Sequence, residues 1–236
     1  MIDSTPRASN GSIRVVTASL AALLLCTPGL ARAQAPNAGA MADKYAQDAK
    51  ANAALMRHYT WQMRVAVTYK DKPESPALYQ MNWAPDGTLQ KTLLSAPPKK
   101  ESGRGIRGRI KKGKIEDFEQ WLGELADLVK RYMAPTPGNM MDFYSKATFT
   151  AAPDGLVQVS APAFLQPGDR ATFFVDPNTN KPQRYTFTTA LEGDPVTGAI
   201  TYGHVAGGPQ YAEQVTVAVP AKEVTALVNN FNFVKQ

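Results

Sequence analysis

The chain has 236 residues, with 26 Lys and Arg against 20 Asp and Glu, one Cys and two His. At 44% hydrophobic and 19% charged residues it is neither a disordered chain nor a polytopic membrane protein. Its length suits one large domain or two small ones, with enough core to fold without disulfides. The formal net charge of +6 points to nucleic acid only if the charge is spread over the fold.

The first 33 residues read as an export signal. Arg7 and Arg14 precede an apolar run from Val15 to Leu25, a Thr-Pro-Gly break follows, and Ala31-Arg32-Ala33 fits a small-x-small cleavage site. The run is shorter than the roughly 20 residues of a membrane span. Cys26 follows Leu25 rather than a small residue, which argues against lipidation. Cleavage after Ala33 leaves no cysteine, so disulfides, thiolate chemistry and Cys-based metal sites are all excluded from the mature chain. The expected compartment is the periplasm of a Gram-negative bacterium.

Removing the signal takes Arg7, Arg14, Arg32 and Asp3, leaving a net charge of +4. Lys99, Lys100, Arg104, Arg107, Arg109, Lys111, Lys112 and Lys114 carry eight positive charges in one segment, against Glu101 alone. The rest of the mature chain is therefore mildly acidic. The basicity belongs to one glycine-rich loop, expected over 97–114, and export removes nucleic acid as its partner. A loop of this kind meets lipid phosphates, an anionic membrane surface or an envelope protein, or is simply a solvated segment.

Residues 34–40 read as a tether, and Met41 to Arg57 as a helix in which Tyr45, Ala49, Ala53 and Met56 recur at helical spacing. The period then changes to two. Tyr59, Trp61, Met63, Val65, Val67 and Tyr69 alternate with Thr60, Gln62, Arg64, Ala66, Thr68 and Lys70, which predicts a long strand with one apolar face. Leu78 to Trp83 and Thr88 to Leu94 flank Ala84-Pro85-Asp86-Gly87 and predict a hairpin.

After the basic loop, Ile115 to Met133 predicts an amphipathic helix. Ile115, Phe118, Trp121, Leu122, Leu125, Leu128, Val129 and Tyr132 share a face. Acids in its first turns and Lys130 and Arg131 in its last suit the helix dipole, and Pro135 and Pro137 stop it. Strands follow near Ala147–Thr150, Gly155–Ser160, Arg170–Asp176, Gln183–Leu191, Val196–Val205, Gln214–Val219 and Val224–Val234, separated by Pro, Gly and Asp turns.

These elements predict an α+β fold. One strongly curved antiparallel sheet of about ten strands, a half-barrel, occupies 41–236. The N-terminal helix and the central amphipathic helix cover its concave side. The concave face is the expected ligand wall: Trp61, Met63, Val65, Val67 and Tyr69, with Met81 and Trp83 from the hairpin and Trp121 from the helix. Met and aromatic side chains adapt to irregular apolar ligands. The same residues also suit a packed core.

Other motifs carry less. Gly103-Arg104-Gly105-Ile106-Arg107-Gly108 spells GxGxxG but lacks the strand-to-helix context of a dinucleotide site. Asp176, Asn178 and Asn180 imitate the start of a calcium loop, yet Lys181 stands where glycine is required, so the segment is a hairpin turn. His58 and His204 have no local triad partner. A hydrolase would have to be assembled from scattered residues such as Asp142, Asp169, Asp194 and His204. No catalytic residue, cofactor or metal is expected.

The order helix, Trp-containing strand, hairpin, amphipathic helix and meander resembles the LolA-type half-barrel superfamily. So does the run Phe174-Val175-Asp176-Pro177-Asn178-Thr179-Asn180-Lys181-Pro182-Gln183-Arg184-Tyr185, which is similar to its strand–Asp-x-x-Thr–strand hairpin. Val228-Asn229-Asn230-Phe231-Asn232-Phe233 is similar to its last strand. That superfamily holds periplasmic lipoprotein carriers, mycobacterial lipid-binding lipoproteins and sigma-factor regulators of the RseB kind. The resemblance implies a non-enzymatic, carrier-like protein that takes an acyl lipid or lipoprotein in its concavity, or an envelope sensor or interaction module. A monomer is the expected state.

Overall fold

The computed structural model describes residues 37–95 and 106–236, with side chains described for 37–95 and 116–236. The expected signal peptide and residues 34–36 of the expected tether lie outside these residues, as do Lys99, Lys100 and Arg104.

Helix α1 spans Ala38–Met56, three residues earlier than the apolar spacing predicts. Asn37 sets the start: its side-chain oxygen accepts hydrogen bonds from the backbone N–H groups of Gly39 and Ala40 at 3.0 and 3.3 Å, satisfying two otherwise unpaired donors. Ala38–Ala40 therefore belong to the helix and not to a tether.

Strand β1 (Tyr59–Tyr69) follows the predicted alternation, and Lys70 and Asp71 turn the chain with left-handed backbones. β2 (Lys72–Pro73), β3 (Ala77–Trp83) and β4 (Leu89–Ser95) come next. β5 (Thr148–Ala151), β6 (Val157–Pro162), β7 (Arg170–Val175), β8 (Pro182–Leu191), β9 (Asp194–His204), β10 (Gln210–Val219) and β11 (Val224–Lys235) form the meander. All pair antiparallel in one open sheet of eleven strands, ordered β4-β3-β1-β11-β10-β9-β8-β7-β6-β5, with β2 on β1. The two halves of the chain join through β1 and β11, in register from Tyr59↔Lys235 to Tyr69↔Val224. Bulges at Thr60/Gln62 and Ala212/Gln214 add local bend and twist.

Two helices lie between the hairpin and the meander, where one was expected. Helix α2 runs over Ile106–Met133, starting nine residues before the predicted Ile115. Arg107, Arg109, Lys111, Lys112 and Lys114 are thus helical and not in a loop. Arg, Lys and Ile carry little helix cost, and the two glycines at 108 and 113 cost about 1 kcal/mol each, which 28 residues absorb. The GxGxxG run still lies outside a βαβ unit, because β4 and its neighbours are antiparallel.

Helix α3 (Pro137–Lys146) was not predicted. Thr136 caps it, with its hydroxyl accepting from Asn139 N and Asn139 Oδ1 accepting from Thr136 N at 3.0 Å, and Pro137 sits at the first position. Helix α2 ends at Met133 before Pro135 and Pro137, as expected, and Pro137 also opens α3, since proline fits the first helical turn where its missing N–H costs nothing.

The core lies between α2, α3 and the inner face of β6–β10. Trp121, Leu125, Leu128, Val129 and Tyr132 of α2 and Met140 and Phe143 of α3 pack on Val159, Phe173, Tyr185, Phe187, Val196, Ile200, Val215 and Val217. Strand β8 shows the alternation: Tyr185, Phe187 and Thr189 are buried, while Arg184, Thr186 and Thr188 are exposed. Each large apolar side chain buried this way contributes about 1.5–3 kcal/mol. Helix α1 packs on α3, with Ala42 its buried residue.

Candidate functional site

Register places the predicted apolar residues on one face. Trp61, Met63 and Val65 of β1 stand opposite Met81, Tyr79 and Ala77 of β3. Across the other edge of β1, Val65, Val67 and Tyr69 stand opposite Val228, Ala226 and Val224. Beyond β3, Leu89, Lys91 and Leu93 of β4 stand opposite Trp83, Met81 and Tyr79. Because side chains alternate, all of these share the inner face with the helix-covered core.

The two ends of this face are closed by protein. At one end, Tyr69 packs on Phe118 with ring centres 4.9 Å apart, and Phe118 stacks on Trp121 at 6.0 Å. Val67 and Tyr69 join the edge of the core, and Trp121 is inside it. The Trp121 indole N–H is buried without a hydrogen-bond partner among the described residues.

At the other end, Trp61 stacks on Phe233 at 5.6 Å and tilts against Trp83 at 6.3 Å. The Trp61 indole N–H donates to Asn230 Oδ1 at 3.2 Å, and that of Trp83 donates to the Met56 carbonyl at 2.9 Å, tying the end of α1 to the hairpin. Asn52 of α1 bonds both the N–H and the carbonyl of Gln210, each at 2.8 Å. Trp61, Met81 and Trp121 are consequently buried by the protein itself.

The middle and outer part of the face is different. Met63, Val65, Tyr79 and Trp83 are half-buried, and Leu89 and Leu93 are 46% and 50% exposed. The β1–β3–β4 wing is therefore an apolar shelf whose cover thins toward the β4 edge. Of the predicted face, Met63 and Val65 lie on its floor. Tyr79, Leu89, Lys91 and Leu93 belong to it as well and were not singled out from sequence. The signal was present: Leu89, Lys91 and Leu93 alternate with Gln90 and Thr92, and Tyr79 alternates in step with Met81 and Trp83.

Two surface depressions lie elsewhere. One, of about 380 Å³, is lined by Arg57, Trp83, Asp86, Gly87 and Gln236. The other, of about 310 Å³, lies at the opposite end of β1, by Thr68, Asp71, Glu223 and Thr225. Both are largely polar, and the first meets the apolar face only at Trp83.

The scattered acid and histidine residues do not converge. Asp169 is buried, accepting hydrogen bonds from the Tyr132 hydroxyl and from Gln166 N at 3.0 Å. Asp194 faces Lys222 at 3.2 Å. His204 is exposed at the far end of β9 from Asp194, roughly 33 Å away along an extended strand. Asp142 is exposed on α3. Among the described residues, no three His, Cys, Asp or Glu side chains could hold a metal together, and no helix is long and apolar enough to cross a membrane.

No family model matches the sequence, and no curated protein matches it. Three solved structures are similar. A domain described as outer membrane lipoprotein-sorting, from Vibrio parahaemolyticus, is 12% identical, with a TM-score of 0.37 over 83% of this chain and 93% of its own. A LolA superfamily protein from Nitrosomonas europaea is 9% identical, with a TM-score of 0.35 over 80% of this chain and 94% of its own. A DUF1329 family protein from Desulfovibrio piger is 8% identical, with a TM-score of 0.35 over 80% and 93%. Each is a protein that this chain resembles.

Proposed function

We propose that the protein is an exported, non-enzymatic carrier that holds the acyl chain of a lipid or lipoprotein on the β1–β3–β4 shelf. One observation carries the reading. The same inner sheet face is sealed by α2 and α3 over β6–β10, yet it stays apolar and partly uncovered at Met63, Val65, Tyr79, Leu89 and Leu93. Exposed leucines at the edge of a sheet are an aggregation liability, so their retention on an inner face favours a ligand that covers them. The first turns of α2 bring Arg107, Arg109, Lys111, Lys112 and Lys114 into one helical segment, which suits contact with an anionic membrane surface or envelope protein.

Native mass spectrometry of protein purified from a Gram-negative periplasm tests this. Acyl adducts that disappear in Met63→Asp and Leu93→Asp, with circular dichroism unchanged, support it. A wild-type protein that carries no acyl adduct and takes up none from lipid micelles refutes it.

A second reading has its own observation. All seven residues of β4 are exposed, and among the described residues one edge of this strand has no paired strand, as suits an interaction module that accepts a strand from another protein. Proline substitution at Gln90 and Thr92, which alternate away from the shelf residues Leu89, Lys91 and Leu93, would abolish partner capture while acyl uptake is retained.

A further inference from the structure

We propose that Lys91 makes the apolar shelf selective for amphiphiles with an anionic head, such as a phosphate, sulfate or carboxylate. This rests on the acyl-binding reading and adds the ligand's charge. Lys91 stands opposite Met81 on the inner face of β4, with Leu89 and Leu93 on either side. Its ammonium lies over the Tyr79 ring, 3.7 Å from the centroid, so the side chain reaches inward over the shelf.

Among the described residues, no ion pair answers this charge. Ion pairs between described residues join Lys44 to Asp48, Lys130 to Asp127, Arg184 to Asp154 and Lys222 to Asp194, and none of these includes Lys91. Lys130 of α2, which has the same sign and is paired with Asp127, acts on Lys91 as well. Desolvation against the apolar face, and then the Lys130 charge, hold the Lys91 ammonium below the usual lysine pKa. A cation seated over Tyr79 among exposed apolar side chains, with no ion-pair partner among the described residues, is complementary to a molecule with an anionic head and an apolar tail. A neutral lipid would cover the leucines and leave the ammonium desolvated and unpaired. An edge lysine that only deters strand pairing needs solvent, not a seat over Tyr79.

The test compares dodecyl phosphate with dodecyl maltoside, both below their micelle concentrations, by isothermal titration with the full exported chain. Inorganic phosphate serves as a third probe. The wild type is expected to bind dodecyl phosphate about tenfold or more tightly than the maltoside, in keeping with the strength of a charge-assisted contact. Lys91→Met is expected to erase that preference, leaving maltoside binding within about twofold, and Lys91→Arg to keep it. Inorganic phosphate is expected to compete poorly. A Lys91→Met protein that keeps the preference, or a wild type that binds both amphiphiles equally, overturns the Lys91 assignment while acyl binding stands. Inorganic phosphate binding as tightly as dodecyl phosphate overturns it in favour of a free-anion site. Failure of both amphiphiles to bind defeats the acyl-binding reading itself. Circular dichroism and a Lys91→Glu variant, which should disfavour dodecyl phosphate specifically, separate loss of charge from loss of fold.

Discussion

The Tyr132 hydroxyl donates a hydrogen bond to the Asp169 carboxylate inside the core. The same hydroxyl bonds Thr189 Oγ1 at 2.8 Å, and Gln166 Nε2 donates to that Thr189 oxygen at 2.8 Å. One small network thus pins the end of α2 to the loop before β7 and to β8. Tyr132→Phe leaves the buried carboxylate with the Gln166 N–H and a longer contact from Leu165 N at 3.4 Å. An under-satisfied buried acceptor costs about 1–3 kcal/mol, so the variant should lose that much stability in urea denaturation. A change below about 0.5 kcal/mol, within ordinary surface effects, would remove the network from the account of α2 docking.

Gly198 of β9 lies directly under Phe187 of β8, its register partner. A Cβ at position 198 would overlap the Phe187 ring edge. Gly198→Ala must therefore displace a fully buried phenyl ring, and overpacking of this kind costs about 1–3 kcal/mol or more. Calorimetry should show a clearly lowered Tm. The double variant Gly198→Ala with Phe187→Leu should be less destabilised than the two single effects added together. Strict additivity would show that the ring and the glycine are not coupled.

Tyr185 is 1% exposed and its hydroxyl has no hydrogen-bond partner among the described residues. Its ring is held by Phe173 at 4.2 Å, and burial drives the phenol pKa upward. An unpaired buried hydroxyl is unfavourable, so Tyr185→Phe keeps the stacking and removes the penalty. The expected outcome is a protein at least as stable, by up to about 1–2 kcal/mol. Marked destabilisation would mean that the hydroxyl has a partner after all, such as a buried water.

Two turns carry carboxylates held below the usual range. Asp176 accepts first from the Asn178 N–H, at 2.8 Å, and then from the Thr179 hydroxyl, at 3.0 Å. Asp86 accepts from the hydroxyl and the N–H of Thr88, at 2.7 and 2.9 Å. Both pKa values are lower in the folded state than in the unfolded chain. Their stabilisation is therefore complete above the ordinary aspartate value of about 3.9 and fades as pH falls through the lower folded values. Carboxyl NMR titration should place both midpoints below 3.9. Midpoints at or above it would deny these turns any role in acid stability.

Much of the sheet was legible residue by residue. The odd positions from Trp61 to Tyr69 do share one face, and the turns at Asp86-Gly87 and around Asp176 lie where Pro, Asp and Gly put them. The helix errors were local too. Pro135 and Pro137 do mark the end of α2, but the Thr136–Asn139 cap also makes Pro137 a beginning, and the basic residues of α2 read as a loop because charge and glycine outweigh their helix propensity. The shelf is half legible: alternation in β1 picks out Met63 and Val65, while Leu89, Lys91 and Leu93 read only as one arm of a hairpin.

The sequence by itself determined which side chains face inward, because strand alternation and helix spacing are properties of neighbouring residues. Only the tertiary structure decided what covers them. Pairing of β1 with β11 joins residues at opposite ends of the chain, and the docking of α2 and α3 seals the face over β6–β10 while leaving the β1–β3–β4 wing thinly covered. Burial depends on partners distant in sequence, so Trp121 and Met63, alike in pattern, end respectively inside the core and on the open shelf.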